Sequence, residues 1–492
     1  MIKLLSIGLA ALMLVGCASR PVNPPITAIN ETNSYKFENI FANAADKENL
    51  VVLAFSGGGT RAAAFSYGVL EFLRRTEVIG PTGMKIRLID EVDVISGVSG
   101  GSFTALSYGL YGDALFSTFE KQFLKRNVQG EIISRVLDPM YWPSLSSDGW
   151  GRSELAAQLY DEILFHGATF ADLKRARAPF IMASATDLAS GSRFAFNQRI
   201  FDVICSDLNA VPLSRAAAAS SAVPVVLSPV TFNNYGGTCG WEPVAWMKPL
   251  IGKKDVTRPA ARATTTVAAE LALSDGKERP YIHLVDGGVS DNVAMGSVLD
   301  ALEMLEALYD SDIPTPLDKV RRVIVFIVNS LSEPEVDWDK SERPPNSLTV
   351  LLKSAGTPID HYSYEAVEQL KDMSYRWRTM QEIRESLPEN ELKNPRLAKL
   401  LRTPKAEIYA IDVSFRQLKD KDERFYLNQQ PTSFVLPDEA VDRLRAAAGT
   451  IIMGSPEFQR LLKALDAKVL PAVPFAREQT HDSSTNASLG GG

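Results

Sequence analysis

Residues 91–101 have the sequence EVDVISGVSGG, in which an apolar run leads directly into a glycine-rich turn. The run 91–96 is typical of a buried β-strand, and residues 101–110 favour a helix. Ser99 lies between the two in the pattern Gly-x-Ser-x-Gly, where a strained turn lifts the serine hydroxyl above the edge of a sheet. Ser99 is therefore a candidate nucleophile, although the same residues also suit a glycine-rich turn whose serine has no chemical role.

A second strand–turn–helix unit precedes the first. Residues 50–55, LVVLAF, have the pattern of a buried strand, residues 56–61 read SGGGTR, and residues 60–75 have the apolar spacing of a helix. Consecutive glycines let a backbone approach a ligand closely, and the free N–H groups at a helix start can bind a phosphate or an oxyanion. The turn has neither Gly-Lys-Ser/Thr nor G-x-G-x-x-G, which disfavours nucleotide binding. The alternative is a tight turn without a ligand.

Strand-like and helix-like segments continue to alternate as far as about residue 330. Further strands are predicted at 180–186, 281–285 and 322–329. This alternation is typical of a mostly parallel α/β sheet, in which the turns that leave the strands lie along one edge. We therefore expect the turns after these strands to lie close together.

The third notable turn is Asp286-Gly287-Gly288, which follows the predicted strand 281–285 directly. A carboxylate there would lie on the same sheet edge as Ser99, and the glycines would leave room for a ligand. The alternative is an aspartate that begins a turn, which is the commoner role of Asp-Gly.

Together the turns resemble the motifs of the patatin-like phospholipase family. G-G-G-x-R corresponds to 57–61, G-x-S-x-G to 97–101 and D-G-G to 286–288, in the same order. Residues 219–224, ASSAVP, are similar to the Ala/Ser-rich helix of that family, which ends in proline. The resemblance covers about 50–330, and a less distinctive one extends to the tail at 430–465.

The resemblance implies a three-layer α/β/α sandwich with a mostly parallel central sheet. It also implies hydrolysis of fatty-acyl esters in phospholipids or other lipids, with no cofactor and no metal. The implied roles are Ser99 as nucleophile, Asp286 as base, the N–H groups of Gly57, Gly58, Gly59 and Gly100 as the oxyanion hole, and Arg61 as support for the glycine-rich loop. The alternatives are a lipid acyltransferase with the same nucleophile and a non-catalytic envelope lipoprotein.

The positions of the histidines favour a Ser–Asp dyad over a triad. A triad in the order Ser, Asp, His would need His361 or His481, the two histidines that follow Asp286. The first is expected on the surface at the start of a long helix, and the second lies in a polar tail. His283 shares a strand face with Val285, so packing is its expected role.

The overall composition excludes several classes of function. The 492 residues are 45% hydrophobic and 23% charged, which is typical of a soluble globular protein. A formal net charge of −7 disfavours a nucleic-acid partner. Three cysteines and four scattered histidines disfavour a zinc cluster.

The amino-terminal segment is typical of export. Lys3 precedes a short apolar run that ends in Leu14-Val15-Gly16-Cys17, and this ending resembles a bacterial lipobox with Cys17 as the acylated residue. The alternative is an ordinary signal peptide with an incidental cysteine. Residues 18 and 19, Ala and Ser, lack the aspartate that resembles an inner-membrane retention signal, so we expect a lipid anchor in the outer membrane of a bacterial envelope.

The chain divides into five predicted regions. These are a signal peptide at 1–16, a tether at 17–48, a catalytic domain at 49–330, a C-terminal extension packed on that domain at 331–475, and a disordered tail at 476–492.

Three further features lie within the predicted catalytic domain. Cys205 and Cys239 are predicted to form a disulfide if the body is exported, the alternative being two buried thiols. Residues 140–142, Met-Tyr-Trp, and Trp150 suit a lipid–water interface, but buried packing is the expected role. Residues 233–280 predict either a lid or a surface insertion.

Overall fold

The computed structural model describes most of the chain between Ser19 and Leu470. The described ranges are 19–30, 35–36, 48–79, 83–147, 149–175, 178–244, 247–248, 251, 261–310, 319–401 and 404–470. The predictions for the signal peptide, Cys17, His481 and the tail 476–492 concern residues outside these ranges.

The strands and helices alternate over most of this length. The strands are β1 Asn49–Phe55, β2 Thr76–Ile79, β3 Lys85–Arg87, β4 Val92–Val98, β5 Phe180–Asp187, β6 Arg193–Ala195, β7 Val230–Asn233, β8 Tyr281–Asp286, β9 Arg322–Asn329, β10 Glu407–Ser414 and β11 Lys468–Val469. The helices are α1 Gly59–Arg74, α2 Gly100–Tyr111, α3 Leu115–Phe119, α4 Val128–Leu137, α5 Trp142–Leu145, α6 Arg152–Tyr160, α7 Gln198–Val203, α8 Leu213–Ser220, α9 Ala261–Leu273, α10 Gly288–Asp291, α11 Gly296–Asp310, α12 Ser347–Ser386, α13 Glu389–Leu392, α14 Pro395–Leu400, α15 Lys421–Asn428, α16 Asp438–Gly454 and α17 Pro456–Ala464.

The fold is an α/β/α sandwich around a mostly parallel sheet, as the sequence predicts. The strand order is β10-β9-β1-β4-β5-β8-β7, with β6 paired to β5, and the first five strands are parallel to one another. Successive side chains of β1 enter two different apolar cores because a strand alternates its faces. Leu53 and Phe55 pack with helices α1 and α16 on one side, whereas Val52 and Ala54 pack with α11 and α12 on the other.

The direction of β8 differs from what the alternation of strands and helices implies. β8 runs antiparallel to β5, with Asp286 opposite Ala185 and Leu284 opposite Asp187. It therefore pairs only with the end of β5 and enters the sheet from the opposite direction. Because Ser184 of β5 is in turn level with Val98, Asp286 still arrives at the edge that carries Ser99. β7 is antiparallel to β8 and forms the outer edge of the sheet.

Residues 20–26, within the predicted tether, pack against this outer edge. The side chain of Asn23 is buried, donates to Asn233 O at 3.0 Å and accepts from Asn233 N at 2.8 Å. The backbone N–H of Ile26 donates to Cys205 O at 2.9 Å. This part of the segment is thus an arm that covers an edge strand.

Cys205 and Cys239 are joined in a disulfide, with their Cα atoms 5.5 Å apart. Both residues are buried. The disulfide ties the loop after α7, on which the arm also rests, to the segment that follows β7.

The segment 233–280 contains α9, which packs against α7 and α11. Met247 and Val267 are buried together in a small apolar cluster with Trp241 and Leu271. Parts of the segment, including Trp246, lie outside the described residues.

The expected packing of the aromatic segment is wrong for two of its residues. Met140 is 80% exposed and Trp142 is 55% exposed, whereas Trp150 is buried. Met140 lies in the short turn between α4 and α5, and Trp142 is the first residue of α5; both side chains are at the surface. Among the described residues, no helix has the length and apolarity that a membrane span requires.

Candidate active site

Ser99 occupies a strained turn between β4 and α2. Its backbone angles are φ 49° and ψ −122°, a region that residues other than glycine rarely adopt. The following glycines are needed because other backbone lies against them. A Cβ atom on Gly101 would lie 2.6 Å from the carbonyl oxygens of Phe55 and Ser56, and one on Gly100 would overlap Gly59 O. The glycine-rich loop after β1 therefore packs directly against the turn that carries Ser99.

The hydroxyl of Ser99 donates a hydrogen bond to Asp286 Oδ2 at 2.8 Å. The other carboxylate oxygen accepts from the backbone N–H of Gly288 at 2.7 Å. Burial raises the pKa of Asp286 to about 6, although the hydrogen bonds from Gly288 and Ser99 act in the opposite direction. Near neutral pH the carboxylate is ionised and is a stronger base than an exposed aspartate.

The small-residue helix α8 connects the nucleophile with the base. Ser220 Oγ accepts from Ser99 N at 2.9 Å and donates to Ser184 O at 2.7 Å. The turn that follows α8 also binds the backbone of the base, since Asp286 N donates a hydrogen bond to Ala222 O at 3.0 Å. The sequence suggests only tight packing for this Ala/Ser-rich segment, so the role of Ser220 is additional.

The glycine-rich loop offers fewer free donors than the resemblance implies. The N–H of Gly57 already donates to Asn292 O at 2.8 Å, so it is not available to an oxyanion. Within the described part of the chain, the N–H groups of Gly58 and Gly59 have no protein acceptor. Gly100 is the first residue of α2, and its N–H has no partner inside the helix. These three groups remain as candidate donors.

Asn292 is a site residue that the sequence motifs do not reveal. A Cβ atom on Gly57 would lie 2.6 Å from Asn292 Oδ1, and one on Gly288 would lie 3.0 Å from the same atom. Asn292 therefore fills the space between the glycine-rich loop and the turn that carries Asp286. Its amide nitrogen also faces Ser363 Oγ of α12, at 3.4 Å.

Arg61 supports the glycine-rich loop from beneath. Its buried guanidinium donates to Ser330 O at 2.8 Å, to Gln430 O at 2.6 Å and to Thr432 Oγ1 at 3.1 Å. Burial lowers the pKa of Arg61 to about 10, so it remains charged at neutral pH. The neighbouring Thr60 N donates to Ser433 O at 2.8 Å. The C-terminal extension thus holds the loop, which the sequence does not predict.

The described histidines do not contribute to this site. His166, His283 and His361 are all exposed, and His283 Nδ1 lies 3.0 Å from Thr231 Oγ1. The expectation that His283 packs against the sheet is therefore wrong, because this end of β8 is open to solvent. The expectation that His361 begins a helix is also wrong, since α12 begins at Ser347.

A cavity of about 660 Å³, lined by both polar and apolar groups, lies beside the turn that follows Asp286. Its lining includes Ser290 and Asn292 together with charged groups such as Arg193, Asp291 and Asp300. Arg193 pairs with both of these aspartates, so the charges in the cavity are partly balanced. Among the described residues, no cluster of His, Cys, Asp or Glu side chains is arranged to hold a metal ion.

Residues 53–299 match the sequence model of a family described as patatin-like phospholipase. No curated protein matches the chain. The human GIVD cytosolic phospholipase A2 structure has 11% identity and a TM-score of 0.41, and the match covers 92% of this chain and 69% of that one. The same human enzyme in complex with methyl gamma-linolenyl fluorophosphonate has 12% identity and a TM-score of 0.40, with 87% and 62% covered.

Proposed function

This chain belongs to the patatin-like phospholipase family, and we propose that it hydrolyses fatty-acyl esters of phospholipids or other glycerolipids through Ser99 and Asp286. Membership supports a lipid hydrolase. The observation that carries the finer assignment is the 2.8 Å hydrogen bond from the Ser99 hydroxyl to Asp286, at the tip of a strained turn. The joint presence of Ser99, Asp286 and the three glycines of the glycine-rich loop supports a catalytic role over that of a scaffold.

The proposed reaction has two halves. In the first, Ser99 Oγ attacks the ester carbonyl carbon while Asp286 Oδ2 accepts the hydroxyl proton, and the negative charge that forms on the carbonyl oxygen is bound by the N–H groups of Gly58, Gly59 and Gly100. The alcohol then leaves with the proton from Asp286, which produces an acyl-serine. In the second half, water loses a proton to Asp286 and attacks the acyl-serine, and Asp286 returns that proton to Ser99 Oγ as the bond to the acyl group breaks and the fatty acid is released.

The oxyanion donors are expected to supply much of the rate acceleration. Each such donor contributes roughly 3–4 kcal/mol of transition-state stabilisation in hydrolases where one has been removed. The loop that provides them is held in place by Arg61, Asn292 and the segment that includes Ser433. A rigid donor set suits a reaction whose base is a single carboxylate.

The test is a panel of phospholipids and glycerolipids with mass spectrometry of the products. The parent protein should release free fatty acid, whereas Ser99→Ala and Asp286→Asn should be slower by roughly a thousandfold or more. A fluorophosphonate probe should label the parent and not Ser99→Ala. An unlabelled parent would contradict the enzymatic proposal, and acyl groups recovered only on a second lipid would indicate a transferase.

We also propose that Cys17 carries the lipid anchor of an outer-membrane lipoprotein. The support is the sequence Leu14-Val15-Gly16-Cys17 at the end of a short apolar run. Two or more acyl chains anchor a protein stably where a single chain does not. Cys17→Ala should abolish incorporation of labelled fatty acid and release the protein from the membrane fraction, and unchanged labelling would contradict the proposal.

A further inference from the structure

The N-terminal arm, residues 20–26, determines the place at which the chain leaves the folded domain. Arg20 donates to Thr231 O at 3.2 Å and also bonds Asn233 Oδ1, both on the outer strand β7. Cys17 precedes Arg20 by three residues in the sequence. Since an extended chain spans about 3.3–3.6 Å per residue, an anchor at Cys17 would hold this edge of the sheet within roughly 10 Å of the membrane.

Gly149 and the first two residues of α6 connect the arm with the loop that follows α8. A Cβ atom on Gly149 would lie 2.8 Å from Arg20 Cδ, so the arm passes directly over this glycine. Arg152 donates to Val225 O at 3.0 Å, and Ser153 N donates to Ser228 Oγ at 3.1 Å. The loop 221–229 therefore lies on the same side of the molecule as the arm.

Four exposed apolar side chains lie in the two segments that lead into this junction, and we name them the apolar rim: Met140 and Trp142 in the segment that precedes Gly149, and Val225 and Val226 in the loop 221–229. The two valines are 59% and 60% exposed. Val225 has φ 73°, which a β-branched residue rarely adopts, so its exposed position is held against its backbone preference. Trp142 belongs to hydrogen-bonded turns that lead to Gly149, with Ser146 N donating to Trp142 O and Trp150 N donating to Ser147 O.

The apolar rim is also coupled to the candidate active site. Ala222, whose carbonyl oxygen accepts the Asp286 N–H at 3.0 Å, precedes Val225 by only three residues. The helix before this loop ends at Ser220, which binds the backbone of Ser99. The same loop thus has its buried end against the dyad and its exposed end in the apolar rim.

We propose that the apolar rim is a docking surface for the lipid leaflet that carries the Cys17 anchor, so that the dyad receives its ester substrate from that leaflet. This proposal rests on the proposed lipid hydrolysis and lipid anchor. The occupant is a lipid surface because the arm brings the anchored end of the chain to this edge, and because an exposed tryptophan such as Trp142 is a side chain favoured at a lipid–water interface. The formal net charge of −7 gives no general attraction to anionic lipid, so docking should depend little on salt.

The first test compares two substrates for the full, anchored protein in phosphatidylcholine–phosphatidylethanolamine vesicles. Val226→Asp and Trp142→Ala should lower hydrolysis of the vesicle lipid by about tenfold or more, because each removes apolar contact with the leaflet. Hydrolysis of a soluble short-chain ester should stay within about twofold of the parent, as for other surface substitutions. The matched control is Met453→Asp on α16, which packs on β10 at the other end of the sheet and is 42% exposed.

The outcomes separate the two proposals. Equal losses on both substrates would show that the loop only positions the dyad, and no loss in either variant would show that the apolar rim does not dock; both overturn the inference. If the parent cleaves neither substrate, the proposed hydrolysis fails, and insertion is still read from the quenching of Trp142 fluorescence by brominated lipid. That signal is the difference between the parent and Trp142→Phe. Absence of this quenching would overturn the docking surface. So would a finding that Val226→Asp converts a dimer to a monomer while no quenching is seen.

Discussion

Ser220 Oγ accepts a hydrogen bond from the backbone N–H of Ser99, so the residue that holds the nucleophile is itself a serine on a neighbouring helix. The same hydroxyl donates to Ser184 O on β5, which orients its lone pairs towards Ser99. The backbone of the strained turn is therefore bonded to α8, and the turn after α8 is bonded to the backbone of Asp286.

Ser220→Ala should reduce kcat with little change in KM, because it leaves the buried N–H of Ser99 without a partner. An unpaired buried donor costs about 1–3 kcal/mol, which corresponds to a loss of roughly 5- to 150-fold if the turn relaxes. The matched control is Ser221→Ala, whose hydroxyl donates to Ala217 O and not to the turn. Equal effects of the two variants would assign Ser220 to packing alone.

The pH profile of kcat/KM should follow the ionisation of Asp286. Because burial raises the pKa of this carboxyl to about 6 and the base must be ionised, activity should fall about tenfold per pH unit below that value and be flat above it. The measurement is the rate with a soluble ester between pH 4 and pH 9. A profile that stays flat down to pH 4.5 would show that Asp286 is not the titrating base.

Asp286→Asn should be inactive but more stable than the parent at pH 8. The folded-state pKa of about 6 lies above the ordinary value of 3.8, so the neutral form is favoured by folding. The stabilisation from this neutral carboxyl is fully present below pH 3.8 and is lost as the pH rises through about 6. The free energy of unfolding of the ionised parent is therefore lower by up to about 3 kcal/mol. Urea unfolding should show the difference at pH 8 and not at pH 4. A variant that is less stable at pH 8 would mean that hydrogen bonding outweighs desolvation.

Arg61→Ala should lower both stability and kcat. It leaves the buried carbonyl oxygens of Ser330 and Gln430 without their donors, at about 1–3 kcal/mol for each buried unsatisfied group. The control is Arg74→Ala at the end of the same helix, where the side chain is 45% exposed and the loss should be below about 1 kcal/mol. Thermal unfolding measures the effect on stability, and ester kinetics measure the effect on kcat. Normal kinetics in a folded Arg61→Ala protein would show that Arg61 does not support the glycine-rich loop.

The disulfide between Cys205 and Cys239 should stabilise the fold. The two residues are 34 positions apart, and a loop of that length corresponds to roughly 3–4 kcal/mol in the chain-entropy view. A reductant should therefore lower the free energy of unfolding of the parent by that amount. The double variant Cys205→Ala/Cys239→Ala should not respond to the reductant. Mass mapping without reduction that recovers both thiols free would refute the bond.

The parts of the site that the sequence predicts are those with a local signal. Ser99 and Asp286 stand in glycine-rich turns directly after apolar runs, so their place at strand ends follows from neighbouring residues alone. Asn292 and Ser433 have no such pattern, because their roles depend on packing between segments far apart in the chain.

The direction of β8 and the exposure of Trp142 could not be predicted for a similar reason. Strand alternation indicates a parallel sheet, but the direction of one strand depends on its partners, here β5 and β7. Apolar composition favours burial, but the exposure of Trp142 depends on which element covers it.

The antiparallel entry of β8 also has a consequence for the order in which the protein is made. Nucleophile and base are 187 positions apart, and the base reaches its place only after β7 and β8 have closed the far edge of the sheet. A chain that emerges with its amino end first therefore carries Ser99 long before it carries a partner for it. On the proposed route of export, the enzyme would stay harmless to the bilayer it passes through and would become lipolytic only once its carboxyl-terminal half had arrived.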